Sequence, residues 1–259
     1  MDKTSFIGVI LGVIAIILGM VFKGTSLTVL INPAAFMIIF AGTIAAVLVA
    51  FPMEEIKRVP KLFKILFSEK KQPPTTELIE QFVEYAKISR QEGLLSLESK
   101  IKDIDDPFLQ QSMRMVIDGL DPEFIRYTLN ERIDAMQERH ATGASIFTQA
   151  GTYAPTLGVL GAVLGLIAAL GNLEDTEALG YAIAAAFVAT LFGIFSGYVL
   201  WHPFANKLKR KSRKETLHKY IIVEGTISII NGVSPRAMEE SLSVYLEEQE
   251  QVEYLKRSE

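Results

Sequence analysis

Four stretches of the chain carry no Asp, Glu, Lys or Arg, at residues 4–22, 24–53, 141–173 and 178–206. Each has about the ~20 apolar residues, or more, that a helix needs to cross a hydrocarbon core of roughly 30 Å. The pattern predicts four transmembrane helices near 4–22, 33–51, 150–171 and 180–201. The third stretch would run ~50 Å as a helix at 1.5 Å per residue, which overshoots a membrane, so its first turns continue a helix from outside. Lys3 precedes the first stretch, yet the run is long and has no clear small-residue cleavage site before Gly24, so it reads as a retained span and not a signal peptide.

Between the second and third spans, residues 54–140 show apolar positions at helical spacing with recurring start and stop signals. Thr75 and Thr76 are candidate caps for a helix whose inner face is Leu78, Ile79, Phe82, Val83 and Ala86, interrupted at Gly93. A short helix follows over 94–101. Asp106 before Pro107, and Asp121 before Pro122, each place a capping carboxylate ahead of a proline at the first helical position, where a missing N–H costs nothing. In the tail, 207–259, an apolar run over 221–230 stops at Asn231-Gly232, restarts at Ser234-Pro235 and ends in a charged segment expected to fray. No strand signal interrupts this, and the expected class is an all-α integral membrane protein of four spans, a helical domain between spans two and three, and a helical tail.

Charge sets the orientation, because Lys and Arg near short loops stay on the cytoplasmic side while acidic residues contribute little. Lys57, Arg58, Lys61, Lys64, Lys70 and Lys71 follow the second span, and Lys207, Lys209, Arg210, Lys211, Arg213, Lys214 and Lys219 follow the fourth. The link after the third span has Glu174, Asp175 and Glu177 with no base, and the link after the first has only Lys23. Both termini and the inserted domain are therefore expected in the cytoplasm, with two short loops outside. The net charge of -4 adds little to this segregated picture, and no nucleic-acid partner is expected. With no cysteine, disulfides, thiolate metal sites and a cysteine nucleophile are excluded.

Small residues mark the sides of membrane helices that pack closely. They form stripes at Gly8 and Gly12; at Gly42, Ala46 and Ala50; at Gly151, Gly158, Ala162, Gly165 and Ala169; and at Ala182, Ala186, Ala189, Gly193 and Gly197. Such stripes either bind the four helices to each other or offer a face to another chain, and sequence leaves both open. Ionisable groups inside a membrane usually mark an ion path, and these spans have none between their ends, only hydroxyls such as Thr43, Thr156, Thr190 and Ser196, with Tyr181 and Tyr198 nearer the ends. If ions pass, a partner must bring the carboxylate. A membrane threonine by itself reads first as a back-bond to its own helix. His140, His202 and His218 are far apart, Asp105 and Asp106 open a helix, and no catalytic constellation, metal set or cofactor loop emerges.

The run Thr148-Gln149-Ala150-Gly151-Thr152-Tyr153-Ala154-Pro155-Thr156-Leu157-Gly158, and the pair Ala189-Thr190-Leu191-Phe192-Gly193 and Trp201-His202-Pro203-Phe204, resemble the signatures of the MotA family of flagellar stator proteins, related to the ExbB and TolQ proton channels. The likeness covers essentially the whole chain. It implies a homopentamer around two copies of MotB, whose single span carries the ion-binding Asp, together acting as a proton channel that turns ion flow into torque on the rotor protein FliG. It assigns ion-to-motion coupling to Pro155 and Pro203. It also matches a rotor-binding pattern at Arg90, Gly93, Leu97 and Glu98, raising Arg90 and Glu98 above ordinary solvated charges.

Relatives that use sodium carry threonines where this chain has Ala162 and Ala189, next to Thr190, so only one of three hydroxyls remains and H+ is the expected ion. The rival expectations are a sodium-coupled stator, an ExbB/TolQ-like energiser, which has three spans, and a solute carrier, which would show paired halves with broken polar helices.

Overall fold

The computed structural model describes residues 3–68, 73–102, 104–171 and 173–258; the side chains of Lys3, Leu255, Arg257 and Ser258 fall outside that description, as do Lys70, Lys71 and Asn172 altogether. Among the described residues all regular structure is helical, and four helices are long and apolar enough to cross a membrane. Contacts gather into two units, one of residues 1–69 and 139–210, the other of 70–138 and 211–259.

The first unit holds the spans. Helix α1 (Lys3–Phe22) leads into a 3-10 turn (Leu27–Leu30) whose cap, Ser26, accepts from the Thr28 amide. Asn32 caps α2 (Pro33–Ala50) by accepting from Ala35 N at 2.9 Å, with Pro33 in the first turn. Inside α2 a π-helical turn (Met37–Ala41) loosens the ladder, and the buried Thr43 hydroxyl donates to the Ile39 carbonyl at 2.5 Å. Phe51 is extended ahead of Pro52, as a pre-proline residue must be, which ends the helix. Two short helices follow, α3 (Met53–Ile56) and α4 (Val59–Phe67). On α4 the exposed Lys61 and Lys64 lie opposite Phe63 and Leu66. Leu66 is buried with Phe147 and Phe204, and Phe63 meets Phe147 edge-on at 5.2 Å between ring centres, an arrangement the ring quadrupole favours.

The second unit contains α5 (Thr75–Glu92), a 3-10 turn (Leu94–Leu97), α6 (Glu98–Ile101) and α7 (Pro107–Ile117). It also holds the first turns of α8 (Pro122–Leu170) and the last turns of α9 (Thr176–Ile230), then α10 (Pro235–Ser243) and α11 (Glu248–Ser258). Both long helices thus belong partly to each unit. The core is built on Phe82, fully buried, with Leu78, Ile79, Met113, Ile221 and Ile222 around it. Burying each such side chain is worth ~1.5–3 kcal/mol. A Cβ at Gly225 would lie 2.6 Å from the Phe82 ring, so only glycine lets α9 pass there. Polar ties add register: Arg126 grips Glu224 with two bonds of 2.5 and 3.2 Å, and Thr226 meets Ser112 at 3.1 Å in full burial.

Asp106 accepts from the Phe108 and Leu109 amides and Asp121 from those of Glu123 and Phe124, as their place before proline requires. Two expectations need correction. Thr75 and Thr76 do not cap α5; Pro74 holds the extended cap position and both threonines are already helical, without a side-chain capping bond. The charged end of the chain is a helix, α11, where fraying was expected. Tyr254 is buried against the core of the second unit, and that burial pushes its phenol up to about 12.

Candidate functional site

The small-residue stripes of α8 and α9 face each other. A Cβ on Gly193 would lie 2.7 Å from the Ala154 carbonyl oxygen, one on Gly165 2.8 Å from Ala186, and one on Gly161 2.8 Å from Ala189. These contacts spend most of the two stripes inside the chain. Gly12 of α1 closes in the same way on Val199, whereas no atom lies within 4 Å of the Cβ position at Gly8.

At one end of this contact the two helices are both defective. Pro155 sits inside α8 without a donor for the Gly151 carbonyl, four residues earlier. Facing it, a π-helical turn (Ser196–Trp201) interrupts α9, and the His202 amide reaches back five residues to the Gly197 carbonyl. A Cβ on Gly197 would lie 2.8 Å from the Pro155 ring and 2.9 Å from the Gly151 oxygen. Pro203 follows the π-turn after one residue, His202. Its ring would crowd a regular α turn, and the wider turn before it absorbs that misfit. Proline therefore neither starts nor stops α9 here; the helix continues through it to Ile230.

Several hydroxyls surround it. Ser196, fully buried, donates to the Phe192 carbonyl at 2.7 Å. Thr190 donates to its own helix at Ala186, 3.3 Å, and lies 3.5 Å from the Gly158 carbonyl of α8. Thr148, Thr152 and Thr156 each back-bond to the carbonyl four residues earlier, at 3.1 to 3.2 Å, and form a ladder along α8 on which Thr152 and Thr156 are exposed. Ala162 is half-buried and Ala189 is 2% exposed. The structure thus gathers Pro155, Thr190 and Ala189 at the α8–α9 contact and leaves Thr156 and Pro203 on the outside.

Sequence reasoning singled out the prolines for coupling and named Gly197 only as part of a small-residue stripe. Gly197 and the His202 ring, which lies 2.8 Å from a Cβ at Gly151, complete the constellation. Trp201, in the π-turn, has a buried indole N–H with no acceptor among the described residues, at a place where the helix is already irregular.

Arg90 and Glu98 flank the Gly93 turn of the second unit, where φ is +88° and the backbone favours glycine. Both are exposed, and among the described residues neither is in an ion pair. Leu95, between them, is 71% exposed, an apolar contact point that the charge pattern hides.

Two family models match the chain, the MotA/TolQ/ExbB proton channel family over residues 100–220 and the motility protein A N-terminal family over residues 6–93. Motility protein A of Bacillus subtilis is 55% identical over 259 residues, 100% of this chain and 96% of that one. The structure of the flagellar MotAB stator complex from Bacillus subtilis superposes with a TM-score of 0.93 at 56% identity, covering 98% of this chain and 99% of that one. The structure of C. jejuni MotAB gives a TM-score of 0.90 at 31% identity, covering 96% and 97%.

Proposed function

The chain belongs to the MotA/TolQ/ExbB proton channel family, and from that membership we propose that it is the stator subunit of a flagellar motor. With a MotB-like single-span partner it forms an ion channel, and it converts the flow into torque on the rotor protein FliG, driving motility. The observation that carries this reading is the meeting of two helix irregularities, Pro155 with Gly197 in the π-turn before Pro203, in spans that have no ionisable group of their own between their ends.

A carboxylate on the partner's span supplies the ion-binding group, and the exposed Thr152 and Thr156 hydroxyls, their protons held in back-bonds, keep lone pairs for a hydrated ion beside it. We assign H+ as that ion. One charge crossing the field is worth roughly 2.3 kcal/mol per 100 mV, which biases a two-state arrangement about fiftyfold. A change of bend at Pro155 or Pro203 costs little where the ladder is already broken. It acts on α8 and α9, whose far ends belong to the unit carrying Arg90 and Glu98. The protein is placed in the bacterial inner membrane with both termini and the second unit in the cytoplasm, following the basic residues after α2 and near the middle of α9. Five copies surround two partner chains.

Purification with and without a co-expressed single-span partner bearing a membrane Asp, followed by native mass measurement, tests the reading. Five copies with two partners are expected; a monomer that ignores the partner would end it.

A further inference from the structure

Helix α4 has two unlike faces. Val59, Leu62, Phe63, Leu66 and Phe67 turn inward, and a Cβ at Gly143 of α8 would lie 3.1 Å from the Leu62 side chain. Phe204 of α9 meets Phe63 at 6.1 Å and Phe67 at 5.9 Å between ring centres, both edge-on. The apolar face is therefore spent on protein. The outward face carries Lys61 and Lys64, one turn apart, and Lys57 and Arg58 stand exposed just ahead of the helix. Among the described residues none of these four bases is in an ion pair. No acidic residue interrupts 56–68, and Glu54 and Glu55 come before it.

The partners of α4 fix its depth. The span α2 ends at Ala50, a short way before it, and Phe147 and Phe204 stand just outside the apolar spans expected over 150–171 and 180–201. The helix is thus anchored where hydrocarbon gives way to headgroups.

We propose that the outward face of α4 binds the headgroups of anionic phospholipids, its lysines holding phosphates of the leaflet at that end of the spans. A short amphipathic helix usually binds a membrane by sinking its apolar face between acyl chains. Here α8 and α9 occupy that face, so the attraction comes through charge, and charge selects an anionic headgroup over a zwitterionic one. Bases that only set orientation need share no face. Lys61 and Lys64 do share one, and the packing behind them holds it in place. Lipid bound there opposes undocking of the helix that braces α8 and α9. The proposal rests on α2, α8 and α9 crossing a membrane, and not on which ion or rotor the protein serves.

The full-length protein with its co-purifying subunits is placed in nanodiscs of phosphatidylcholine, or of equal parts phosphatidylcholine and phosphatidylglycerol, and amide exchange over α4 is followed by mass spectrometry. Each lysine near an anionic surface contributes about fivefold. Wild type should exchange at least about fivefold more slowly in the mixed discs. Lys61→Gln with Lys64→Gln should match wild type in phosphatidylcholine, which shows the fold kept, and should lose most of the slowing in the mixed discs. Lys61→Arg with Lys64→Arg should retain it. Lys87→Gln with Lys102→Gln, exposed in the second unit, makes the same change of charge elsewhere and should keep the wild-type slowing. Equal exchange of wild type in both discs would overturn the proposal, as would undiminished slowing after Lys61→Gln with Lys64→Gln. Equal loss after Lys87→Gln with Lys102→Gln would reduce the effect to general surface charge, and slowing by millimolar glycerol phosphate in phosphatidylcholine discs would make it a free-anion site; either outcome also rejects the proposal.

Discussion

Gly197 and Pro155 are in such close approach that a Cβ at 197 would lie 2.8 Å from the proline ring. The contact joins the carbonyl that a helix proline leaves without a donor to the π-turn that precedes a second proline on the neighbouring span. Each irregularity alone would be a local cost. Set against each other, they bring two interruptions of the backbone ladder together at one α8–α9 contact.

We therefore expect Gly197→Ala to slow swimming and Gly197→Leu to abolish it, with membrane insertion and partner binding kept, since overpacking of this kind costs about 1–3 kcal/mol and must move backbone. Pro155 or Pro203 replaced by a large residue should give the same phenotype. Gly180→Ala, where a Cβ meets nothing, serves as the silent control. Swimming speed and co-purified partner are the two readouts. Normal torque in Gly197→Leu and in both proline variants would remove the coupling role.

The rotor contact is expected at the Gly93 turn. Arg90→Glu or Glu98→Lys should weaken stator recruitment or torque, with rescue by a charge change on the rotor, because exposed opposite charges steer a transient contact while adding little affinity. Leu95→Ser adds a prediction drawn from its exposure: recruitment should fall at unchanged charge. Fluorescent counting of stators at the motor checks all three, and silence of both reversals and of Leu95→Ser would return these residues to ordinary surface.

Local chemistry made much of this fold legible. Asp106-Pro107 and Asp121-Pro122 state their helix starts in four or five consecutive residues, and an uncharged run declares a span by length alone. What depended on distant partners was not legible. Thr75 looked like a cap because capping residues and first-turn residues share a composition, and only Pro74's extended backbone decides between them. In α11 few apolar residues stand among the charges, and Tyr254 becomes a core residue through the helices it meets. The π-turn of α9 has a mark in the sequence, Pro203 just after it, whereas the π-turn of α2 has none. The candidate site divides the same way, with the prolines and the stripe holding Gly197 visible as residues and their meeting visible only as a contact.

Asp106 offers a test by pH. His218, whose Nε2 lies 3.5 Å from Oδ2, together with the Phe108 and Leu109 amides and nearby Lys219, holds its carboxyl down at about 2 against an ordinary 3.8, despite partial burial. A depressed folded value means stability that is present above 3.8 and is lost as pH falls through about 2. Because the group is about a third exposed, solvent screening leaves on the order of 1 kcal/mol. Asp106→Asn should thus speed hydrogen exchange at the start of α7 at neutral pH. Its difference from wild type should close as the pH drops from 3.8 toward 2. A difference that is constant through that window would assign the effect to capping alone.

The placement of two alanines bears on which ion the protein uses. Sodium entering a membrane site must exchange its water for several oxygen ligands, since an unsatisfied charge in low dielectric is expensive. Ala189 is buried with its Cβ 2.8 Å from the Cβ position of Gly161, so this site is filled by helix contact and has no room for a ligand. Ala162 has no oxygen to give, and the Thr190 hydroxyl already donates to the Ala186 carbonyl, which leaves only its lone pairs. A proton needs the partner's carboxylate and a relay, for which those lone pairs and a water suffice. Swimming driven by this protein with its own partner should persist without sodium and collapse on adding a protonophore in sodium-free buffer. Ala162→Thr alone should not create sodium dependence, and Ala189→Thr should impair assembly by overpacking instead of adding a ligand. Speed that tracks sodium concentration at fixed protonmotive force would sink the assignment, because hydroxyls missing at 162 and 189 would then have been replaced by oxygens elsewhere in the complex.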